Sequence, residues 1–235
     1  ERSRTVHSIP ERMMKPVIVA IDGPAGVGKS TTSRRVAERL GIPHIDTGAM
    51  YRAMALKAMR AGVALDDEPK LEALGAATRI DLQGSGAAQR VILDGEDVSA
   101  AIRTPEMSMA ASRVSAVPAV RRILVRMQQE MGRRAGGVLE GRDIGTKVFP
   151  DTPHKFFLTA RPLVRSERRH RDLRERGIDQ PVDEILREIE TRDRQDSTRA
   201  DSPLSWDDSY TVIDSSDLSL DEVVERIVES VGRGK

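Results

Sequence analysis

An α/β fold with a mostly parallel sheet is what this chain predicts, and three observations predict it. Short β-branched runs alternate with helical patterns along most of the sequence. The first run feeds a glycine-rich turn that opens a helix. Most of the runs end at a charged residue or at that turn, and in such sheets ligands bind at the carboxyl ends of the strands. The strand candidates are Pro16–Asp22, Ile42–Asp46, Gly137–Gly141, His154–Leu158 and Tyr210–Asp214.

Val17-Ile18-Val19-Ala20-Ile21 reads as a buried strand. Behind it, Gly23-Pro24-Ala25-Gly26-Val27-Gly28-Lys29-Ser30-Thr31 fits G-x-x-x-x-G-K-[ST]. Residues 33–40 then follow a helical pattern, with Gly41 at the stop and Pro43 beyond. Strand, glycine loop and helix in that order aim the loop N–H groups and the helix N-terminus at one place, where the phosphates of a nucleotide can sit. In this pattern Lys29 reaches the β- and γ-phosphates and the Ser30 hydroxyl holds Mg²⁺.

After the second strand, Asp46-Thr47-Gly48-Ala49-Met50-Tyr51-Arg52 opens a helix that Asp46 or Thr47 can cap. Tyr51 and Arg52 lie in its first turns; the plain alternative is a capped helix with a solvated arginine. Between residues 60 and 135 the rhythm changes. Arg79–Gln83, Arg90–Leu93 and Glu96–Val98, with Asp94-Gly95 as a hairpin turn, predict a small antiparallel sheet inserted into the α/β core. A helix from Val117 to Arg134 leads back to the core.

Gly141-Arg142-Asp143 follows the third core strand. The arginine fork can hold a phosphate, and Asp143 can accept from an exocyclic amine of a base; a surface turn with an internal ion pair is the alternative. Glu140 is placed to hold Mg²⁺ through water, or is structural. From Arg161 to Gly177 runs an arginine-dense helix in which Arg161, Arg165, Arg168 and Arg169 share one face. That face is expected to close over a triphosphate, unless Glu167, Asp172 and Glu175 make it an ordinary solvated helix. Pro181–Arg194 gives another helix, and Arg192, Asp196 and Arg199 follow at spacings of four and three. The four histidines (7, 44, 154 and 170) look isolated and receive no role. Leu218–Val231 has the apolar spacing of a helix packed on the sheet.

Bulk composition narrows the class. A net charge of +1, from 38 basic and 37 acidic residues, argues against a general nucleic-acid or membrane binder. With 3% aromatics, a base-stacking platform is not expected. No cysteine is present, which excludes disulfides and thiol catalysis and fits a reducing compartment. No apolar run reaches the length of a membrane span. Residues 1–13 read as a disordered extension without the apolar stretch of a secretory signal, so a cytoplasmic protein is expected.

Taken together, IDGPAGVGKST, DTGAMYR, ILDGEDVS with IRTPE, AASRVSAVPAVR, LEGRDIGTKVFPD and RDRQDSTRADSPL resemble the bacterial-type cytidylate kinases over about residues 15–230. The resemblance implies the nucleoside monophosphate kinase fold: a five-stranded parallel core sheet with helices on both faces, a monophosphate-binding insertion with its own antiparallel sheet, and an arginine-rich lid. It divides the chain into a core of residues 14–60 and 136–235, an insertion of 61–135 and a lid at about 161–180. It implies phosphorylation of CMP and dCMP by ATP, with Mg²⁺, by a monomer. Gly23 to Thr31 then bind ATP. Ser112, Arg121 and Asp143 look like the readers of cytosine; Arg52, Arg142 and Arg199 like the holders of the CMP phosphate; Arg192 and Asp196 like the ribose contacts. Thr47 and Tyr51 belong to the same pocket. Lys29, Arg142, Arg165 and Arg169 are the expected catalytic cations.

Two departures from the family pattern stand out. Position 195 is Gln where some members have a basic residue. Trp206-Asp207-Asp208 replaces an alanine-containing segment, and is expected near the adenine side. A kinase of another acceptor, such as shikimate, is not excluded by the loop alone. A GTPase switch would carry N-K-x-D, which is absent, and the single D-x-x-G, Asp81 to Gly84, falls in the inserted sheet.

Overall fold

The computed structural model describes residues 16–84 and 86–233; the extension read at residues 1–13 lies outside them. Five parallel strands form the core sheet: β1 (Ile18–Asp22), β2 (His44–Asp46), β6 (Gly137–Gly141), β7 (His154–Thr159) and β8 (Thr211–Asp214), in the order β2-β6-β1-β7-β8. Every neighbouring pair is parallel. The apolar run of β1 is explained by its place in the centre. Val19 and Ile21 face one core, with Val36, Phe156, Leu158 and Ile227, while Ala20 faces another, with Ile45, Leu139 and Ile144. A strand covered on both faces has no polar side to show.

Helices α1 (Lys29–Leu40) and α8 (Leu220–Arg233) cover the first face. The stripe expected on α8 is the one that is buried, through Val223, Val224, Ile227 and Val231. Two arginines of α1 bridge to it, Arg35 to Asp221 and Arg39 to Glu225; both pairs are exposed and contribute little.

The inserted segment is richer than its sequence reading. The antiparallel sheet is present as β3 (Ile80–Gln83), β4 (Arg90–Leu93) and β5 (Glu96–Asp97), and Asp94 and Gly95 both take positive φ, as the hairpin turn requires. Two helices flank it that the apolar spacing did not announce: α3 (Glu68–Ala76) and α4 (Pro105–Ser115). Each begins with a capping side chain and an early proline. Asp67 accepts from Lys70 N and Thr104 from Met107 N. With α2 (Thr47–Arg60) and α5 (Pro118–Ala135) they enclose a second core of Met50, Met54, Leu71, Ile80, Leu93 and Leu124.

Two further helices complete the chain. The arginine-dense helix is α6 (Pro162–Arg174), shorter than read, and α7 (Val182–Thr198) is longer, so it carries Asp196 in its last turn. Leu173, Ile178, Ile185 and Ile189 pack these two helices against Ala25 of the glycine loop.

Leu124 on α5 is fully buried. Leu124→Ala should lower unfolding free energy by about 3 kcal/mol, because burial is lost and a cavity is left. Urea denaturation followed by circular dichroism measures it, and a loss below about 1 kcal/mol would mean that the second core collapses around the gap.

Candidate active site

The site begins where β1 ends. Gly23, Gly26 and Gly28 all take positive φ, and at Gly23 a Cβ would lie 2.3 Å from the Leu158 carbonyl oxygen, so only glycine lets the loop pass β7. Helix α1 starts after Gly28 with no side-chain cap and no acidic residue in its first turn. Its free N–H groups and dipole therefore favour an anion. Lys29 donates from Nζ to the Pro24 carbonyl at 2.6 Å, folding its ammonium over the loop. Burial, then the charge of Arg142, holds the Lys29 pKa well below the ordinary lysine value.

Ser30 donates to Glu140 Oε2 at 2.8 Å, and Glu140 Oε1 accepts from His44 Nε2 at 3.0 Å. The Thr47 hydroxyl donates to the Glu140 carbonyl at 2.6 Å. Parallel pairing makes this cluster: Asp46 registers against Glu140 and His44 against Val138. His44 is thus not isolated, as its sequence position suggested. Burial pushes its pKa down, but the hydrogen bond and charge of Glu140 outweigh that and leave it above 6.5. The hydroxyl and carboxylate at Ser30 and Glu140 are hard oxygen donors, suited to Mg²⁺. Among the described residues no three His, Cys, Asp or Glu converge as a cage. That donor set fits an ion that keeps its waters and takes phosphate oxygens.

Facing the loop is a wall of guanidinium groups, and the two enclose a cavity of about 680 Å³. Arg52, Arg121, Arg142, Arg169, Arg192 and Arg199 all line it, with Tyr51, Ser112, Asp143 and Asp196. Their partners are carboxylates. Arg52 donates to Asp46 at 3.0 Å and Arg142 Nε to Asp196 Oδ2 at 2.8 Å. Arg121, 2% exposed, donates to Asp143, and Arg199 lies 3.7 Å from the other Asp143 oxygen and 3.8 Å from Asp196. Arg142 and Asp143 are therefore not a pair within one surface turn; each reaches a different partner.

The pKa shifts record the crowding. Burial, followed by Arg142, pulls Arg192 down to about 10. Burial also raises Asp143, against the opposing pull of Arg121 and Arg199. Asp196 is buried too, yet Arg142, Arg199 and Arg192 hold it below the usual carboxylate value. Burial pushes the Tyr51 phenol, 5.8 Å beneath the Arg121 guanidinium, up to about 12. Four buried guanidinium nitrogens, Nε of Arg52, Arg121 and Arg192 and one Nη of Arg199, have no hydrogen-bond partner among the described residues. Buried donors without partners are costly, and the guanidinium groups that carry them line the cavity an anion would enter.

Three expectations need correction. The arginines of α6 do not act as one face: Arg161 turns outward to Asp217, while Arg168, bonded to Ser215, lines the cavity with Arg169. Arg165 is 5% exposed and lies behind the cavity wall, where it donates to the Ala160 and Ala25 carbonyls and to Asp193. Trp206 packs on Phe157 with ring centroids 4.3 Å apart and planes tilted by 35°, and does not line the cavity; Ser215, Leu218, Leu220 and Val223 form the wall beside the loop instead. Asp193 was missed, although it accepts from Ala25 N at 3.2 Å and ties α7 to the loop. Its signal was its place beside Arg192 and Arg194, which read only as repeated charge.

A cavity with an anion-binding loop on one side and unsatisfied guanidinium donors on the other has room for two phosphate-bearing molecules, the layout of a P-loop kinase. Comparisons narrow that class. The family model described as cytidylate kinase matches residues 19–233. A cytidylate kinase of Syntrophotalea carbinolica is 49% identical over 219 residues, covering 93% of each chain. Another from Pelotomaculum thermopropionicum is 49% identical over 218 residues, covering 92% of this chain and 96% of that one. The chain belongs to the cytidylate kinase family. A solved structure of an uncharacterized protein from Eubacterium ventriosum, 15% identical, superposes with a TM-score of 0.51 over 93% of this chain and 99% of that one, a likeness of fold.

Removing Glu140 should reverse the sign of the His44 shift. In Glu140→Gln, burial and the charge of Arg34 remain, opposed only by the smaller pull of Asp46, and the midpoint should fall below 6.5, whereas wild type titrates above it. The wild-type pair therefore adds stability below pH 6.5 that is lost as pH rises through the folded midpoint. NMR of the His44 ring reads this directly; equal midpoints in the two proteins would dissolve the pair.

Proposed function

We propose that the loop end of the cavity takes ATP, that the arginine wall takes CMP or dCMP, and that the terminal phosphoryl group passes between them to give ADP and CDP or dCDP. Membership of the cytidylate kinase family fixes the reaction class. The observation that carries the reading is the set of unsatisfied guanidinium donors on Arg52, Arg121, Arg192 and Arg199 opposite an uncapped helix start.

A phosphate oxygen of the acceptor, already anionic near neutral pH, attacks the terminal phosphorus of ATP in line, and the bond to the bridging oxygen of ADP breaks. The transition state is loose, so the protein positions and neutralises instead of abstracting a proton. Gly23 to Thr31 cradle the donor phosphates. Lys29 leaves the Pro24 carbonyl for the β- and γ-phosphates, whose charge restores the ammonium that burial disfavours. Ser30 and Glu140, directly or through water, would hold Mg²⁺, which would supply positive charge against the phosphates.

On the acceptor side Arg52, Arg142 and Arg199 take the monophosphate and Arg192 and Asp196 the ribose. Ser112, Arg121 and Asp143 read the base, with Thr47 and Tyr51 shaping the pocket. Arg142 and Arg169 border both molecules and offset their repulsion. Arg165 acts through the loop, holding the Ala25 carbonyl. Residues 61–135 serve as the acceptor-binding insertion and about 161–180 as the lid. A monomer, as the family resemblance implies, is part of the proposal. Among the described residues no helix is long and apolar enough to cross a membrane, and a chain without cysteine suits the reducing cytoplasm.

Lys29→Ala should lower kcat by about a thousandfold while circular dichroism and the thermal midpoint stay near wild type. A folded variant with turnover within about tenfold of wild type would remove Lys29 from the transfer step. ADP release should also depend on acceptor, with CMP and dCMP far above no acceptor; equal rates with and without CMP would refute the two-site reading.

A further inference from the structure

The Ser112 hydroxyl has one hydrogen and two lone pairs. That hydrogen is committed: Ser112 Oγ donates to Gln195 Oε1 at 2.9 Å. Ser115, the other hydroxyl nearby, donates to the Ser112 carbonyl at 2.8 Å and does not compete for it. Ser112 therefore presents only lone pairs to the substrate cavity. Asp143, also on that wall, presents carboxylate oxygens. The base edge that suits such a wall carries an amino group. Cytosine has an amino donor at position 4; uracil has a carbonyl acceptor there, which would face lone pairs with no hydrogen between.

Gln195 stands outside the substrate cavity. It lines a second cavity of about 530 Å³, which shares Ser112, Ser115, Asp196 and Arg199 with the first. The Ser112–Gln195 bond is part of the partition between them, so the amide reaches a bound base only through the serine.

We propose that Gln195 is a positioning residue that selects cytosine over uracil by fixing the direction of the Ser112 hydroxyl hydrogen. The proposal rests on Ser112 reading the base, as argued above. In this chain Gln195 supplies that acceptor; a side chain without one frees the hydroxyl to rotate and donate to uracil.

The test measures kcat/KM for CMP and for UMP, with ATP as donor, in wild type, Gln195→Met, Gln195→Glu, Ser112→Ala and the Ser112→Ala/Gln195→Met double variant. Gln195 is exposed on α7, so the changes at that position leave the core alone. Gln195→Met should narrow the CMP-to-UMP ratio about tenfold, and Gln195→Glu, which keeps the acceptor, should hold the ratio within about threefold. Ser112→Ala should narrow it as Gln195→Met does, and the second change should add nothing to the first. A fall in both kcat/KM values with the ratio intact in Gln195→Met would mark a merely structural bond and overturn the proposal. So would a Gln195→Met effect that persists in full without the serine hydroxyl. Loss of discrimination in Ser112→Ala but not in Gln195→Met would refute this inference alone, whereas full discrimination in Ser112→Ala would refute the reading of Ser112 itself.

Discussion

Lys29, Arg142 and Arg192 crowd one another in the middle of the cavity. Lys29 and Arg192 are each held below their ordinary pKa by burial and by Arg142. Like charges taken partly out of water repel more strongly than they do in solvent. Asp196 is the counterweight: it accepts from Arg142, approaches Arg199, and stays ionised despite burial. The cavity is lined by nine lysine and arginine side chains against seven carboxylates, a positive excess that favours an anion. Much of the surrounding architecture keeps that excess in place while the chain as a whole remains near neutrality, at +1.

Glu140 shows what the scaffold contributes. It sits on β6, between β2 and β1, where backbone pairing on both sides allows no drift. From there its two oxygens serve Ser30 and His44. Asp22 does similar work one strand away. It accepts from the Ile144 and Gly145 N–H groups and from the Tyr210 hydroxyl, and so fixes the start of the turn that follows Asp143. Burial still pushes Asp22 up to about 6 against those bonds. Both are buried carboxylates whose partners come from distant parts of the chain.

That distance explains what was legible in the sequence. The central strands β1, β6 and β7 were readable because a strand buried on both faces writes itself as a largely apolar run, and the loop because glycine, lysine and serine spacing is local. Asp94-Gly95 announced its hairpin for the same reason. Helices α3 and α4 carry thin apolar stripes, and their signal lay in Asp67 and Thr104 as caps before a proline, which is weaker than periodicity. The cavity-wall residues were reached through resemblance; their mutual geometry was not. Nothing in the spacing of His44 and Glu140 says they touch, since parallel pairing brings them together across nearly a hundred residues. Arg165 and Arg169 look alike in sequence, yet one turn of helix puts the first behind the wall and the second on it.

Helix α7 joins the two halves of the site. At Asp193 it accepts from the Ala25 N–H of the loop and from Arg165, which itself grips the Ala25 carbonyl. One turn on, at Asp196, it holds Arg142, and the helix ends at Arg199, between Asp143 and Asp196. Arg192 projects from the same segment onto the cavity wall. A single element therefore touches the loop expected to hold the donor and the arginines expected to hold the acceptor. Its displacement cannot alter one wall without altering the other. In a reaction that must join two polyanions and keep water out, that shared helix is the element through which the two binding events would be linked, and any such linkage is reciprocal by thermodynamic necessity.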